Sequence, residues 1–291
     1  VGLVTGFTPE GHYSEGLAHA VWGLGAPSLT VLAGCHETLP VHPHVASGWR
    51  PGWRFLTDIV QAINAHSIDL VHVQHEFTMF GGGMSVPQVR RLASRLRVGD
   101  VPVVTTIHAV PTRQMIDRNF TRAFMGSRSV PAVIVRTLIA WTLCGLCRDS
   151  ARVIVHTPGL GEILVRDYGA DPATLVHIPL GVPVRLPAAP VGRTGGDPLV
   201  VCPGYVSRRK GIEAIVAAFG RVVQQIPEAR LHLVGGISQP TYARELRELA
   251  ATVGAAGRVS FTGMVSLARF YGELHDADLV VLGAEYSISA S

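Results

Sequence analysis

The 291-residue chain carries 47% apolar and only 16% charged residues, which excludes a disordered chain, and its 32 glycines and 19 prolines are too scattered for collagen or a low-complexity tract. The net charge of +4 comes without the Lys/Arg block of a nucleic-acid or lipid binder, so no nucleic-acid partner is expected, while room remains for an anionic ligand or a membrane surface. Four cysteines do not make a disulfide framework at this length.

Short β-branched runs alternate with longer stretches at helical spacing, the pattern of βα units on a parallel sheet. In chain order the spacing predicts a strand over Val1–Thr5, a helix over Ser14–Leu24, a strand over Ser28–Leu32, a helix over Phe55–Ala65 and a strand over Leu70–Gln74. A helix over Val86–Leu96, a strand over Val101–Ile107 and a long apolar helix over Val130–Cys147 follow, then strands over Arg152–His156 and Leu175–Ile178. The apolar run Val130–Leu146 is interrupted by Arg136 and marginal in length for a membrane span, so it reads as a buried helix. Cys144 and Cys147 would share one face of it and pack, since no second pair completes a zinc site.

Between Pro183 and Pro198 the composition turns to that of a linker. The βα rhythm then restarts, with strands over Leu199–Gly204, Ala229–Val234, Val259–Thr262 and Leu279–Leu282 and helices over Ile212–Gln225, Tyr242–Val253 and Leu267–Leu274. The expected organisation is a domain over 1–183, a linker over 184–198 and a second domain over 199–291, both α/β and doubly wound, facing a cleft at the carboxyl ends of their strands. The chain opens without Met or a charged lead-in and closes after a strand with no returning helix. It therefore reads as a cytoplasmic fragment with an incomplete second domain.

Candidate chemistry falls at strand ends. The loop Gly6–Gly11 runs from a strand into a helix, where Gly11 would let backbone N–H groups approach an anion; an ordinary βα turn would look the same. His75 and Glu76 stand where a strand meets Gly81–Gly83, and such a pair can hold a hydroxyl or orient a proton transfer. His72, inside that strand, reads as a satisfied buried histidine. His108 ends the next strand, where a role in the cleft and a structural role are equally open. Gly204 to Gly211 includes Arg208, Arg209 and Lys210 ahead of a helix. Three cations there oppose the helix dipole, which a bound diphosphate would explain; the alternative is a solvated basic loop.

The series Val73–Phe77, Thr105–His108, Arg152–Thr157, Ile178–Val182, Gly204–Gly211, Leu233–Gly236 and Ala277–Leu282 resembles the retaining glycosyltransferases of the GT-B fold, a family that includes bacterial mannosyl- and glucosyltransferases. The resemblance implies two Rossmann-like domains and transfer of a sugar from a nucleoside diphosphate sugar to a carbohydrate or lipid-linked acceptor, with retention, no cofactor and no metal. By position it implies that Lys210 and Gly204 bind the donor diphosphate. Arg208 or Arg209 would replace an Arg that the family often carries where this chain has Tyr205. It further puts His108 beside the donor sugar, His75 and Glu76 on the acceptor side, Gly11 near the donor, and Glu285 at the start of the donor loop. Peripheral membrane contact is in keeping with such an acceptor. A nucleotide-sugar epimerase of the same fold, or a silent sugar-nucleotide-binding protein, would carry much of the same pattern.

Overall fold

The structure is a computed structural model of the chain. It describes residues 1–4, 13–25, 28–34, 45–50, 54–77, 86–125, 130–181, 195–237 and 239–283. Residue contacts divide the chain into two units, changing between Val182 and Pro183.

The first unit runs β1 (Gly2–Val4), α1 (Tyr13–Gly23), β2 (Thr30–Gly34), β3 (Val45–Trp49), α2 (Phe55–Ala65), β4 (Val71–His75), α3 (Val86–Val98) and β5 (Val103–Ile107). It continues with α4 (Arg118–Met125), α5 (Ala132–Asp149), β6 (Arg152–Val155), α6 (Pro158–Tyr168) and β7 (Leu175–His177). All seven strands pair in parallel in the order β3-β2-β1-β4-β5-β6-β7. The order reverses beside β1, as in a doubly wound fold. Alternate side chains serve opposite faces. Leu3, Val31 and Ala33 pack with Ala18 of α1, whereas Val4 and Leu32 pack with Phe55, Ile59 and Ile63 of α2. Burying both faces is what the unbroken apolar strands require.

Local chemistry fixes the helix ends. The Thr157 hydroxyl accepts from the Leu160 N–H at 3.3 Å, Pro158 opens α6, and Gly169 closes it in the left-handed region at φ 67°. Asp58 in the first turn of α2 receives the Arg50 backbone N–H at 3.1 Å and its guanidinium at 3.0 and 3.2 Å, which ties the helix to the end of β3. That partnership holds the Asp58 carboxyl below its usual range.

Helix α5 corrects one expectation. It is buried on one face only, through Val135, Ile139 and Leu143, while Val133, Ile134 and Trp141 remain exposed. The i, i+4, i+8 spacing that faces the core leaves Val133 and Ile134 without a partner element among the described residues, while Trp141 is met by Arg90 of α3. Cys147 belongs to the core, where burial pushes its thiol up to about 12, and the Cys144 thiol donates to the Tyr168 carbonyl at 2.9 Å. No described helix is long and apolar enough to cross a membrane.

The second unit runs β8 (Leu199–Pro203), α7 (Ile212–Gln225), β9 (Arg230–Val234), α8 (Pro240–Thr252), β10 (Val259–Gly263), α9 (Leu267–Asp276) and β11 (Leu279–Val280). Its four parallel strands lie in the order β10-β9-β8-β11. One face packs on α7 and α8 through Val216, Phe219, Tyr242 and Leu246, and the other on α9 through Phe270 and Leu274. Contact between α7 and the end of α8 depends on Gly220: a Cβ there would stand 2.6 Å from Cβ of Val253.

Candidate active site

In the first unit, backbone register brings polar side chains to one line at the carboxyl ends of four strands. Gln74 pairs with Thr106, Thr106 with Ile154, and Val155 with His177. The Gln74 carboxamide lies between two rings, with its Oε1 2.6 Å from Nε2 of His108 and its Nε2 3.2 Å from Nε2 of His72. His72 Nε2 is also 2.8 Å from the Thr106 hydroxyl. His108 Nδ1 is 3.1 Å from Nε2 of His156, whose Nδ1 is 2.9 Å from the Ile178 carbonyl. His177 Nε2 donates to the His156 carbonyl at 3.1 Å. Gln74, Thr106 and His156 are buried, and His72 and His108 are half-buried. Burial lowers His72 to about 4; burial, with the neighbouring His156 and His72, lowers His108 to about 4. These rings are therefore neutral near pH 7.

His108 thus occupies a strand-end cluster. His72 is a bonded, largely buried histidine. Gln74, His156 and His177 also belong to the cluster and were not singled out from the sequence as site residues. Their shared signal was position, each lying at or next to the carboxyl end of a strand. His75 turns the other way: it is 1% exposed, neither ring nitrogen has a hydrogen-bond partner among the described residues, and its ring meets Phe77 edge-on at 5.2 Å. Burial first, and His108 second, lower it to about 3. Its ring is not presented to solvent, whereas Glu76 is half-exposed. Gly11 and Gly81–Gly83 lie outside the described residues.

The second unit offers a different kind of site. Gly204 follows β8 at φ 99°, and Gly235 follows β9 at φ 143°. The two backbones touch, so a side chain on Gly235 would strike the Gly204 carbonyl. Gly204 N–H donates to the Val234 carbonyl and Val206 N–H to the Gly236 carbonyl, each at 2.8 Å. Residues Arg208–Lys210 form one 3-10 turn, and Gly211, left-handed at φ 57°, leads into α7. Lys210, the only lysine in the sequence, lies over Gly204: a Cβ there would be 3.2 Å from Nζ. Among the described residues no carboxylate forms an ion pair with it.

Arg208 behaves otherwise than the donor-binding expectation. Its guanidinium binds Glu245 of α8 at 2.7 and 2.5 Å, approaches Glu213 of α7 at 3.7 Å, and stacks on the Tyr242 ring at 4.6 Å. Tyr242 in turn donates to Glu213 at 2.5 Å. Two carboxylates and a ring compete with any external anion for this cation, so Arg208 acts as a tie between α7 and α8. Of the expected donor group, the structure brings together Gly204 and Lys210. The Arg209 side chain and Glu285 lie outside the described residues.

Comparison with known proteins matches residues 3–186 to Glycosyltransferase Family 4 and residues 197–288 to Glycosyl transferases group 1. The chain belongs to Glycosyltransferase Family 4. Among curated relatives of this Family 4 chain, a "GDP-mannose-dependent alpha-(1-6)-phosphatidylinositol monomannoside mannosyltransferase" of Mycobacterium tuberculosis is 34% identical over 240 residues, 77% of this chain and 60% of the relative. The "Mannosylfructose-phosphate synthase" of Agrobacterium fabrum is 29% identical over 153 residues, 48% of this chain and 34% of the relative. The match thus spans 34% and 60% of those two relatives' lengths. Among solved structures, the sucrose-phosphate synthase of Thermosynechococcus elongatus superposes with a TM-score of 0.71 at 18% identity, covering 99% of this chain and 76% of that one. The Anabaena protein HepE in complex with UDP-glucose gives 0.67 at 13%, covering 99% and 74%. The α/β architecture with its two parallel sheets is that of these GT-B glycosyltransferase structures.

Proposed function

We propose that the chain supplies both Rossmann-like domains of a glycosyltransferase that moves a sugar from a nucleoside diphosphate sugar to an acceptor hydroxyl, with the anomeric configuration kept. The observation that carries this reading is the lone lysine over the Gly204–Gly235 contact, beside the N-terminus of α7. An ammonium with no ion-pair partner among the described residues and the first amides of α7, beside closely approaching glycine backbone, make a cradle for the charge that develops on a leaving diphosphate. In this reading Lys210 and the α7 amides carry that charge and no cofactor takes part. The His108 cluster, at the strand ends of the first unit, offers hydrogen-bonding groups suited to a sugar hydroxyl.

Family membership supports the reaction class, and the relatives' names order the donors to try. Relatives named as GDP-mannose-dependent make GDP-mannose the first donor and UDP-glucose the second. A carbohydrate or lipid-linked acceptor follows from the same names. Contact with an anionic membrane surface fits α5, whose exposed Val133, Ile134 and Trp141 are flanked by Arg136 and by Arg90, stacked 3.9 Å from the Trp141 ring centre. The test is release of nucleoside diphosphate from a donor panel with and without candidate acceptors. Acceptor-dependent release is expected; conversion of the donor sugar without acceptor would mark an epimerase and overturn the reading.

A further inference from the structure

The strand-end cluster contains a fixed starting point for its protons. A backbone carbonyl only accepts, so the nitrogen 2.9 Å from the Ile178 oxygen, Nδ1 of His156, carries a hydrogen. The His156 ring is 3% exposed, where a neutral imidazole with both nitrogens bonded costs far less than a charged one. Its Nε2 then holds a lone pair, and the His108 nitrogen 3.1 Å away, Nδ1, is the donor. That leaves the lone pair of His108 on Nε2, 2.6 Å from Oε1 of Gln74, an oxygen that has no hydrogen to give it, so the carboxamide must turn. The two ends of a carboxamide are almost equal in size, so turning the amide nitrogen toward His108 costs no packing. The amide oxygen then faces Nε2–H of His72. With the amide so turned, every donor in the row points the same way: His72 to Gln74, Gln74 to His108, His108 to His156, His156 to Ile178, the His72 Nε2–H being shared with the Thr106 hydroxyl oxygen at 2.8 Å.

We infer that His156, anchored on the Ile178 carbonyl, is a positioning residue that fixes the tautomer of His108 and makes its Nε2 a hydrogen-bond acceptor. The opposite polarity requires an imidazolium at His156 and gives His108 an Nε2–H. The two arrangements differ in what His108 offers a ligand: a sugar hydroxyl that takes the place of Gln74 donates to Nε2 in the first and must accept in the second. The functional side of the inference rests on the proposed glycosyl transfer; the tautomer does not.

Long-range proton–nitrogen spectra of the histidine-labelled chain near pH 7, assigned with His108→Gln and His156→Gln, read the tautomers directly. Nδ1–H on both rings is expected. An Nε2–H on His108, or a doubly protonated His156, overturns the inference. In steady-state assays His156→Phe is expected to lower kcat by roughly tenfold to a hundredfold with donor KM changed by less than about threefold, as for a misaimed rather than a missing contact. His156→Gln, whose amide oxygen can accept from His108, is expected to recover most of that loss. Equal losses in the two variants, or full activity in His156→Phe, count against the positioning role. The tautomer measurement needs no turnover, so a chain inactive with every donor would count against the proposed function alone.

Discussion

Three histidines held neutral by their surroundings contribute to how the fold responds to acid. His72 and His108 titrate at about 4 and His75 at about 3, whereas a histidine in the unfolded chain takes its proton near about 6.5. As pH falls below about 6.5 the unfolded chain binds protons first, so their contribution to stability is complete above that value and is lost progressively toward pH 4. Thermal unfolding followed across this window should show a falling midpoint, and His75→Leu should flatten the fall. Because neither nitrogen of His75 is bonded, the same variant should raise stability at neutral pH by about 1 kcal/mol. A lower midpoint at both ends of the range would contradict this. Gln74→Glu tests the neighbouring cluster: a carboxylate cannot donate to His108 Nε2, so kcat should fall about tenfold or more with the fold intact. His108 was legible in the sequence because it closes an apolar strand. Gln74 and His156 were not, since their meeting depends on the register of three separate strands.

The elements differ in how plainly the sequence announces them. For α2 and α7 the expected bounds, Phe55–Ala65 and Ile212–Gln225, match the structure, because apolar residues recur at helical spacing and breakers flank them. The edge strand β3 escaped notice because Val45–Trp49 contains Ser47 and Gly48 and lacks an apolar alternation. Helix α6 was missed although Thr157, Pro158 and Gly169 mark its ends, since glycines at 159 and 161 dilute its periodicity. Two elements carry predictions. Gly220→Ala would drive a methyl group into Val253 and should cost about 1–3 kcal/mol, measurable by denaturant unfolding. The exposed apolar face of α5 should be replaceable with little loss of stability, so Val133→Ser with Ile134→Ser should keep the unfolding midpoint and reduce co-sedimentation with anionic vesicles. Undiminished vesicle binding would remove α5 from that role.

At the scale of the molecule, two parallel sheets each gather polar groups at the carboxyl ends of their strands, a hydrogen-bonded row in one unit and, in the other, a lysine with no ion pair among the described residues. The alternation of strands and helices made the α/β class readable in advance. The surroundings of the three adjacent cations were not: the resemblance set Lys210 apart from Arg208 and Arg209, but only folding shows Arg208 bound to Glu245 and Lys210 lying over Gly204. Because Lys210 is the sole lysine, only the α-amine shares its chemistry, and the two fall in different peptides. The decisive measurement is the rate at which an amine-specific reagent modifies Lys210, read by peptide mass spectrometry with and without GDP or UDP, alongside nucleoside diphosphate release by Lys210→Ala. The account predicts protection by the nucleoside diphosphate and a loss of roughly a hundredfold or more in kcat/KM for the variant. Unprotected modification together with normal donor turnover by Lys210→Ala would contradict it.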